Sequence, residues 1–311
     1  MSEALVIDST PPKQRGAAMG KIVMSSNMGF VIGPFAGAGL VTVAKEVLLL
    51  SEMDSYRFPF YFTALLALAG TVLVWLYVTD AKAPEAKKAK LSLSSVLRPD
   101  GTDQATVRNL NVLYLNAIME GFAFSSIGPL MALFLFDRFE LGGESISVLV
   151  GISMGLGALV AWPSGRLSDR VGRKKLFVMG GTAAFIATML IPTTWSLVVV
   201  VLLLAARSMS FQVASPALRA LQADLVPENV RGRLIGVLES MSNLGAVIGA
   251  PLGGILYDRF FAEDLGLPMG LDGSIVPFAF SGALGLMAVV LVQMLIRERS
   301  LRELSAASDT S

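Results

Sequence analysis

Cysteine and histidine are both missing from this 311-residue chain. Their absence excludes disulfides, thiolate or imidazole metal sites, Cys–His and Ser–His–Asp catalysis, and histidine-ligated haem. Any proton chemistry near neutral pH would have to use carboxylates held away from their usual ionisation range. Charge is also sparse, with Asp, Glu, Lys and Arg making up 16% of residues and a net charge of +1. So small a basic excess provides no footprint for nucleic acid. No G-x-x-x-x-G-K-[ST] spacing occurs, so nothing supports ATP-driven work. There is no dense carboxylate cluster to suggest a membrane enzyme, and no cofactor is called for. The first fifteen residues are polar and contain proline, without the basic start and apolar run of a signal peptide.

What remains is apolar. Hydrophobic residues make up 54% of the chain and mean hydropathy is +0.66, values that a water-soluble globule of this length does not reach. A membrane-crossing helix needs about 20 predominantly apolar residues. Eight segments meet that length to within a few residues: 17–41, 58–79, 109–136, 145–164, 175–192, 196–219, 232–257 and 275–296. The expected class is therefore an all-α polytopic membrane protein with eight transmembrane helices, and the lipid bilayer is its first partner. Residues 80–108 are polar and read as a linker.

The basic residues alternate from loop to loop. Lys13, Arg15 and Lys21, six Lys and Arg in the linker, Arg166 to Lys175, Arg219 to Arg233, and Arg297 to Arg302 lie on one side. The opposite loops hold only Lys45, Arg57, Arg138 and Arg259. Because cytoplasmic loops carry the Lys and Arg excess, both termini and the linker are expected in the cytoplasm, with the protein in the plasma membrane.

An internal repeat organises the chain. Residues 8–40 align without a gap onto 224–256, an offset of 216. Asp8/Asp224, Pro11/Pro227, Arg15/Arg231, Asn27/Asn243, Gly29/Gly245, Gly33/Gly249 and Gly37/Gly253 are among the matches. Shared membrane composition does not place an Asp-x-x-Pro-x-x-x-Arg-Gly loop twice in register, whereas duplication does, and transporters are commonly built from repeats. Shifting the third to sixth segments back by the same offset puts their counterparts before residue 1. The expectation is four further helices upstream, with 1–79 as the last two helices of a first bundle, 80–108 as linker, 109–297 as a complete six-helix bundle and 298–311 as a tail. The missing helices, or another copy, would then be needed to complete the first bundle.

The stretch Gly165-Arg-Leu-Ser-Asp169-Arg170-Val-Gly172-Arg173-Lys174 resembles the signature of the major facilitator superfamily, G-x-x-x-D-R-x-G-R-[RK], at every fixed position. Its glycines suit a tight reversal, its basic residues suit a membrane surface, and Asp169 suits the amino end of a neighbouring helix, expected here to be the first one near Gly16–Gly20. Gly29-Phe-Val-Ile-Gly33-Pro34-Phe-Ala-Gly37 resembles that family's antiporter motif, departing from it at Ala38. The resemblance implies two helical bundles around a central cavity, small-molecule substrates and protons as partners, and export in preference to uptake. Uptake of a sugar or organic acid on the same fold, and a fragment without transport activity, are the alternatives.

Three ionisable residues fall inside apolar segments: Glu120, Arg207 and Glu239. Such groups are costly in a bilayer unless paired or hydrated. They fit either transport and proton coupling or a structural Arg–Glu pair between helices. Arg207 also resembles a family arginine motif of the fourth helix in its tenth-helix copy. Asn243, one turn beyond Glu239, and its repeat equivalent Asn27 fit either a cavity lining or helix-to-helix hydrogen bonding.

Overall fold

A computed structural model describes residues 15–77, 104–225, 231–261 and 272–296, with side chains described throughout except at 15–27, 105–106, 162, 165–166, 169, 223–224 and 231–233. The described chain is helical: α1 Arg15–Glu46, α2 Glu52–Tyr77, α3 Gln104–Phe139, α4 Gly143–Val171, α5 Arg173–Leu190, α6 Leu197–Asp224, α7 Arg231–Phe260 and α8 Ile275–Leu295. A short 3-10 turn, Ile191–Thr193, follows α5. All eight helices are long and apolar enough to cross a membrane, one for each expected segment. Most run several residues past the apolar stretch that announces them, because the backbone must stay hydrogen-bonded until it reaches water. Thus α3 begins at Gln104, inside the stretch read as linker. Of that linker, 80–103 lies outside the described residues, as does the tail 298–311.

The chain divides into two compact units, one of residues 1–90 with 135–158, the other of 91–134 with 159–311. In the first, Ala38, Val41 and Ala44 give α1 a buried stripe. Phe35 and Val31 of α1 lie against Gly151 and Gly155 of α4, where a methyl group at position 151 would come 2.8 Å from the Phe35 ring. The outer length of α2, with Phe60, Leu65, Leu73 and Trp75, is exposed and apolar, a surface suited to lipid.

In the second unit, Leu110 and Leu113 of α3, Phe177 and Phe185 of α5, Leu221 of α6 and Val289 and Val292 of α8 share one core. The closest approach is between α3 and α7. A Cβ on Gly245, Gly249 or Gly253 would run into the backbone carbonyl of Ile118, Phe122 or Ser126 respectively, and one on Gly121 into that of Ser242. Both series advance by four residues in the same direction, so the two helices run parallel, backbone to backbone, as small residues allow in membranes. Ser125 Oγ crosses the seam to donate to the Ala246 carbonyl at 3.1 Å. The repeat-related Gly29, Gly33 and Gly37 have nothing within 4 Å of their Cβ positions among the described residues.

Six helices carry an interior proline: Pro34, Pro59, Pro129, Pro163, Pro216 and Pro251. Each deprives a carbonyl four residues earlier of its partner. At Pro216 that carbonyl belongs to Gln212, and Ser164 Oγ of α4 meets it at 3.4 Å, a case of a neighbouring helix restoring what proline removes.

Candidate functional site

Within the second unit, α3, α6 and α7 enclose a cavity of about 690 Å³, in the size range of small-molecule sites. Helical spacing decides which side chains reach it. From α3 come Glu120 and Phe124, one turn apart; from α6, Phe211, Gln212, Arg219 and Gln222; from α7, Glu239, Ser242 and Asn243. The wall is thus mostly apolar, with two carboxylates, one guanidinium and several amides turned inward. Such a lining is chemically suited to molecules that combine an apolar body with a polar or charged group.

Glu120 is part-buried and accepts a hydrogen bond from Nδ2 of Asn116, one turn back on α3, at 3.3 Å. Asn116 is fully buried, and its Oδ1 has no partner. Glu239 and Asn243, by contrast, are exposed and belong to the cavity lining.

Arg207 does not line the cavity and does not pair with either glutamate. Its Nε donates to Thr188 Oγ1 of α5 at 3.0 Å. Its guanidinium carbon stands 5.1 Å from the Phe211 ring centre and 5.7 Å from that of Phe124. Two aromatic faces and a hydroxyl therefore accommodate this charge, and both rings also face the cavity. Of the two readings of these residues, the structural Arg–Glu pair is not formed by Arg207, whose guanidinium turns to α5 and the rings.

At the signature stretch the helix α4 continues through Gly165 and Asp169 to Val171, and α5 starts at Arg173. Gly172 alone makes the reversal, with φ 100° and ψ 134°. The next two residues close off other helices. Arg173 Nη1 donates to the Ala220 carbonyl in the last turn of α6 at 3.2 Å. Lys174 Nζ donates to the Ile296 carbonyl just past α8 at 2.7 Å. Cations at helix carboxyl ends satisfy orphan carbonyls and oppose the helix dipole. The Asp169 side chain and its expected surroundings at Gly16–Gly20 lie outside the described side chains, as does that of Asn27. Gly172→Ala is expected to lower stability by about 1–2 kcal/mol, because a Cβ disfavours this backbone conformation. Thermal melting of the variant, compared with a glycine-to-alanine change at exposed Gly236, checks this.

A profile of the Major Facilitator Superfamily matches residues 1–109 and 113–309. The chain belongs to the Major Facilitator Superfamily. Multidrug resistance protein 2 of Bacillus subtilis is 25% identical over 264 residues, covering 82% of this superfamily member and 61% of that protein. Multidrug resistance protein MdtG of Salmonella typhimurium is 24% identical over 264 residues, covering 81% and 60% respectively. The chain thus spans about 60% of the length of these curated relatives. Among solved structures, a bacterial homologue of the human lysosomal transporter Spinster superposes with a TM-score of 0.67 at 16% identity, covering 96% of this chain and 76% of that one. The human organic anion transporter MFSD10 superposes with a TM-score of 0.65 at 20% identity, covering 94% and 67%. At these identities the structural likeness speaks for the fold. Superfamily membership is membership of a transporter family, not of an enzyme family, and with eight apolar helices it makes this a multi-pass membrane protein.

Proposed function

We propose that this chain belongs to a secondary transporter that exports small amphipathic compounds by alternating access, driven by inward proton flow across the plasma membrane. The observation that carries the proposal is the cavity between α3, α6 and α7, where Glu120 and Glu239 share an apolar chamber with Arg219. Carboxylates in a membrane cavity are natural proton carriers, and Phe124 and Phe211 offer flat apolar faces for the body of a substrate. The relatives named for multidrug resistance support export, and so does the antiporter-like motif at Gly29, Gly33, Pro34 and Gly37. The Lys and Arg excess in alternate loops supports a cytoplasmic side for both termini and the linker in this reading.

The test is flux in reconstituted vesicles under an imposed pH gradient, with a fluorescent aromatic cation and a fluorescent aromatic anion as probes. The expected result is movement of one probe against the proton flow, abolished when a protonophore collapses the gradient. Movement in the same direction as protons would favour an uptake permease instead. Flux indifferent to the gradient would remove proton coupling altogether.

A further inference from the structure

The contact between α1 and α4 is apolar along its middle and polar at one end. In the middle, Phe35 and Val31 rest on Gly151 and Gly155, a smooth apolar surface. At the end, Lys45 from the last turn of α1 meets Glu144 from the first turn of α4. Lys45 Nζ lies 2.5 Å from Glu144 Oε1 and also donates to the Tyr56 hydroxyl of α2 at 3.2 Å. That hydroxyl donates in turn to Glu144 Oε2 at 3.3 Å. The ammonium stands 4.4 Å from the centre of the Tyr56 ring, within cation–π range.

Local features hold each member ready. Position 143 is glycine, and a Cβ there would come 2.9 Å from Cε1 of Tyr56, so the ring fits only because the side chain is missing. Ser55, fully buried, bonds the carbonyls of Ser51 at 2.9 Å and Leu50 at 3.4 Å, fixing the turn that presents Tyr56. Lys45 ends one helix and Glu144 begins another, each where the helix dipole favours its charge. The Arg57–Asp54 pair, by contrast, lies within α2 and joins no second helix. The Lys45 and Glu144 side chains retain 31% and 26% exposure. Water can therefore compete for them, and a pair of this kind opens and recloses readily.

We propose that Lys45, Tyr56 and Glu144 form a polar latch that holds α1 and α2 against α4 in the state seen here and releases them in another state of the transport cycle. The latch joins helices that precede the 80–108 stretch to a helix that follows it, segments that rocking of one bundle against another would part. It sits at the opposite end of α4 from Gly172. In its cyclic release, though not in its geometry, the inference rests on the alternating-access proposal above.

The chain has no native cysteine, so spin labels can be placed at two introduced cysteines without background. Exposed Leu48 and Ser145 flank the latch without belonging to it. Pulsed dipolar spectroscopy of the full chain in lipid nanodiscs then reads their separation. In Lys45→Ala and Glu144→Ala the separated population should rise by about threefold, the scale of a partly exposed ion pair. The double exchange Lys45→Glu with Glu144→Lys should return it toward the starting distribution, and Tyr56→Phe should fall between. Identical distributions in the parent and both alanine variants overturn the latch. Should an alanine variant fail to fold, the double exchange decides: recovery supports the latch, and separation overturns it. Gradient-insensitive flux accompanied by the expected distance changes would count against proton coupling and leave the latch standing.

Discussion

Gly249→Ala is expected to destabilise the protein by roughly 3 kcal/mol, whereas Gly254→Ala, five residues on, leaves stability unchanged or raises it by about 0.5–1 kcal/mol. Both substitutions add one methyl to the same helix, and both replace a poor helix former with the best one. They differ in what the methyl meets. At 249 it would lie on the Phe122 carbonyl and 2.9 Å from the Phe122 Cα, while at 254 nothing lies within 4 Å. A flexible side chain could swing aside, but a helix backbone cannot, so α3 and α7 would have to separate along the seam. Separation also strains the Ser125–Ala246 hydrogen bond and loosens two walls of the cavity. Melting temperatures in a bilayer mimetic read the contrast, with a shift of about 6–12 °C for Gly249→Ala. Equal shifts for the two variants would show that the seam does not behave as a rigid backbone contact.

Glu120→Gln is expected to cut proton-driven efflux by about tenfold or more, or roughly 1.4 kcal/mol in the driven step, while downhill movement of the same probe continues. Glutamine keeps the size of the side chain and an oxygen able to accept from Asn116 Nδ2, now 3.3 Å from the carboxylate. It cannot bind and release a proton. Loss of coupling without loss of binding is the outcome that separates a proton carrier from a packing residue. Glu239→Gln should have a smaller effect, because Glu239 is exposed whereas Glu120 is part-buried and held by Asn116. Paired flux measurements with and without a pH gradient decide both. Undiminished gradient-driven efflux in Glu120→Gln would move the proton to another carboxylate of the cavity.

The eight helices are legible in the sequence because the bilayer demands long apolar runs and forgives few exceptions. Where each helix leaves the membrane is not legible, since a helix can continue into water without any change of composition at the boundary. Arg219 shows the consequence. Counted among loop charges, it belongs to α6, which continues to Asp224, and it lines the cavity. The glycine spacing of the repeat is plain in the sequence, but spacing names a face without naming its partner. Gly249 meets Phe122 of a helix more than a hundred residues earlier. A carboxylate partner is one of the two readings the sequence offers for Arg207. The guanidinium finds Thr188 and two phenylalanine rings instead, and an aromatic face carries no formal charge for a sequence to display. The Lys45–Glu144 pair spans 99 residues and joins two helix ends that each have other charges nearby in the sequence, so nothing in either neighbourhood singles out the other.

The two cations after Gly172 have a consequence for the order in which the molecule is assembled. Lys174 caps a carbonyl 122 residues further along the chain, and Arg173 one that is 47 residues further. At roughly 5–20 residues per second of synthesis, Lys174 waits about 6–25 s for Ile296 to be made, and Arg173 about 2–9 s for Ala220. Over that interval both groups would depend on water for their hydrogen bonds while the later helices insert. The arrival of α8 then replaces water at Lys174 with a carbonyl, and a helix synthesised well after α5 locks the turn from which α5 starts.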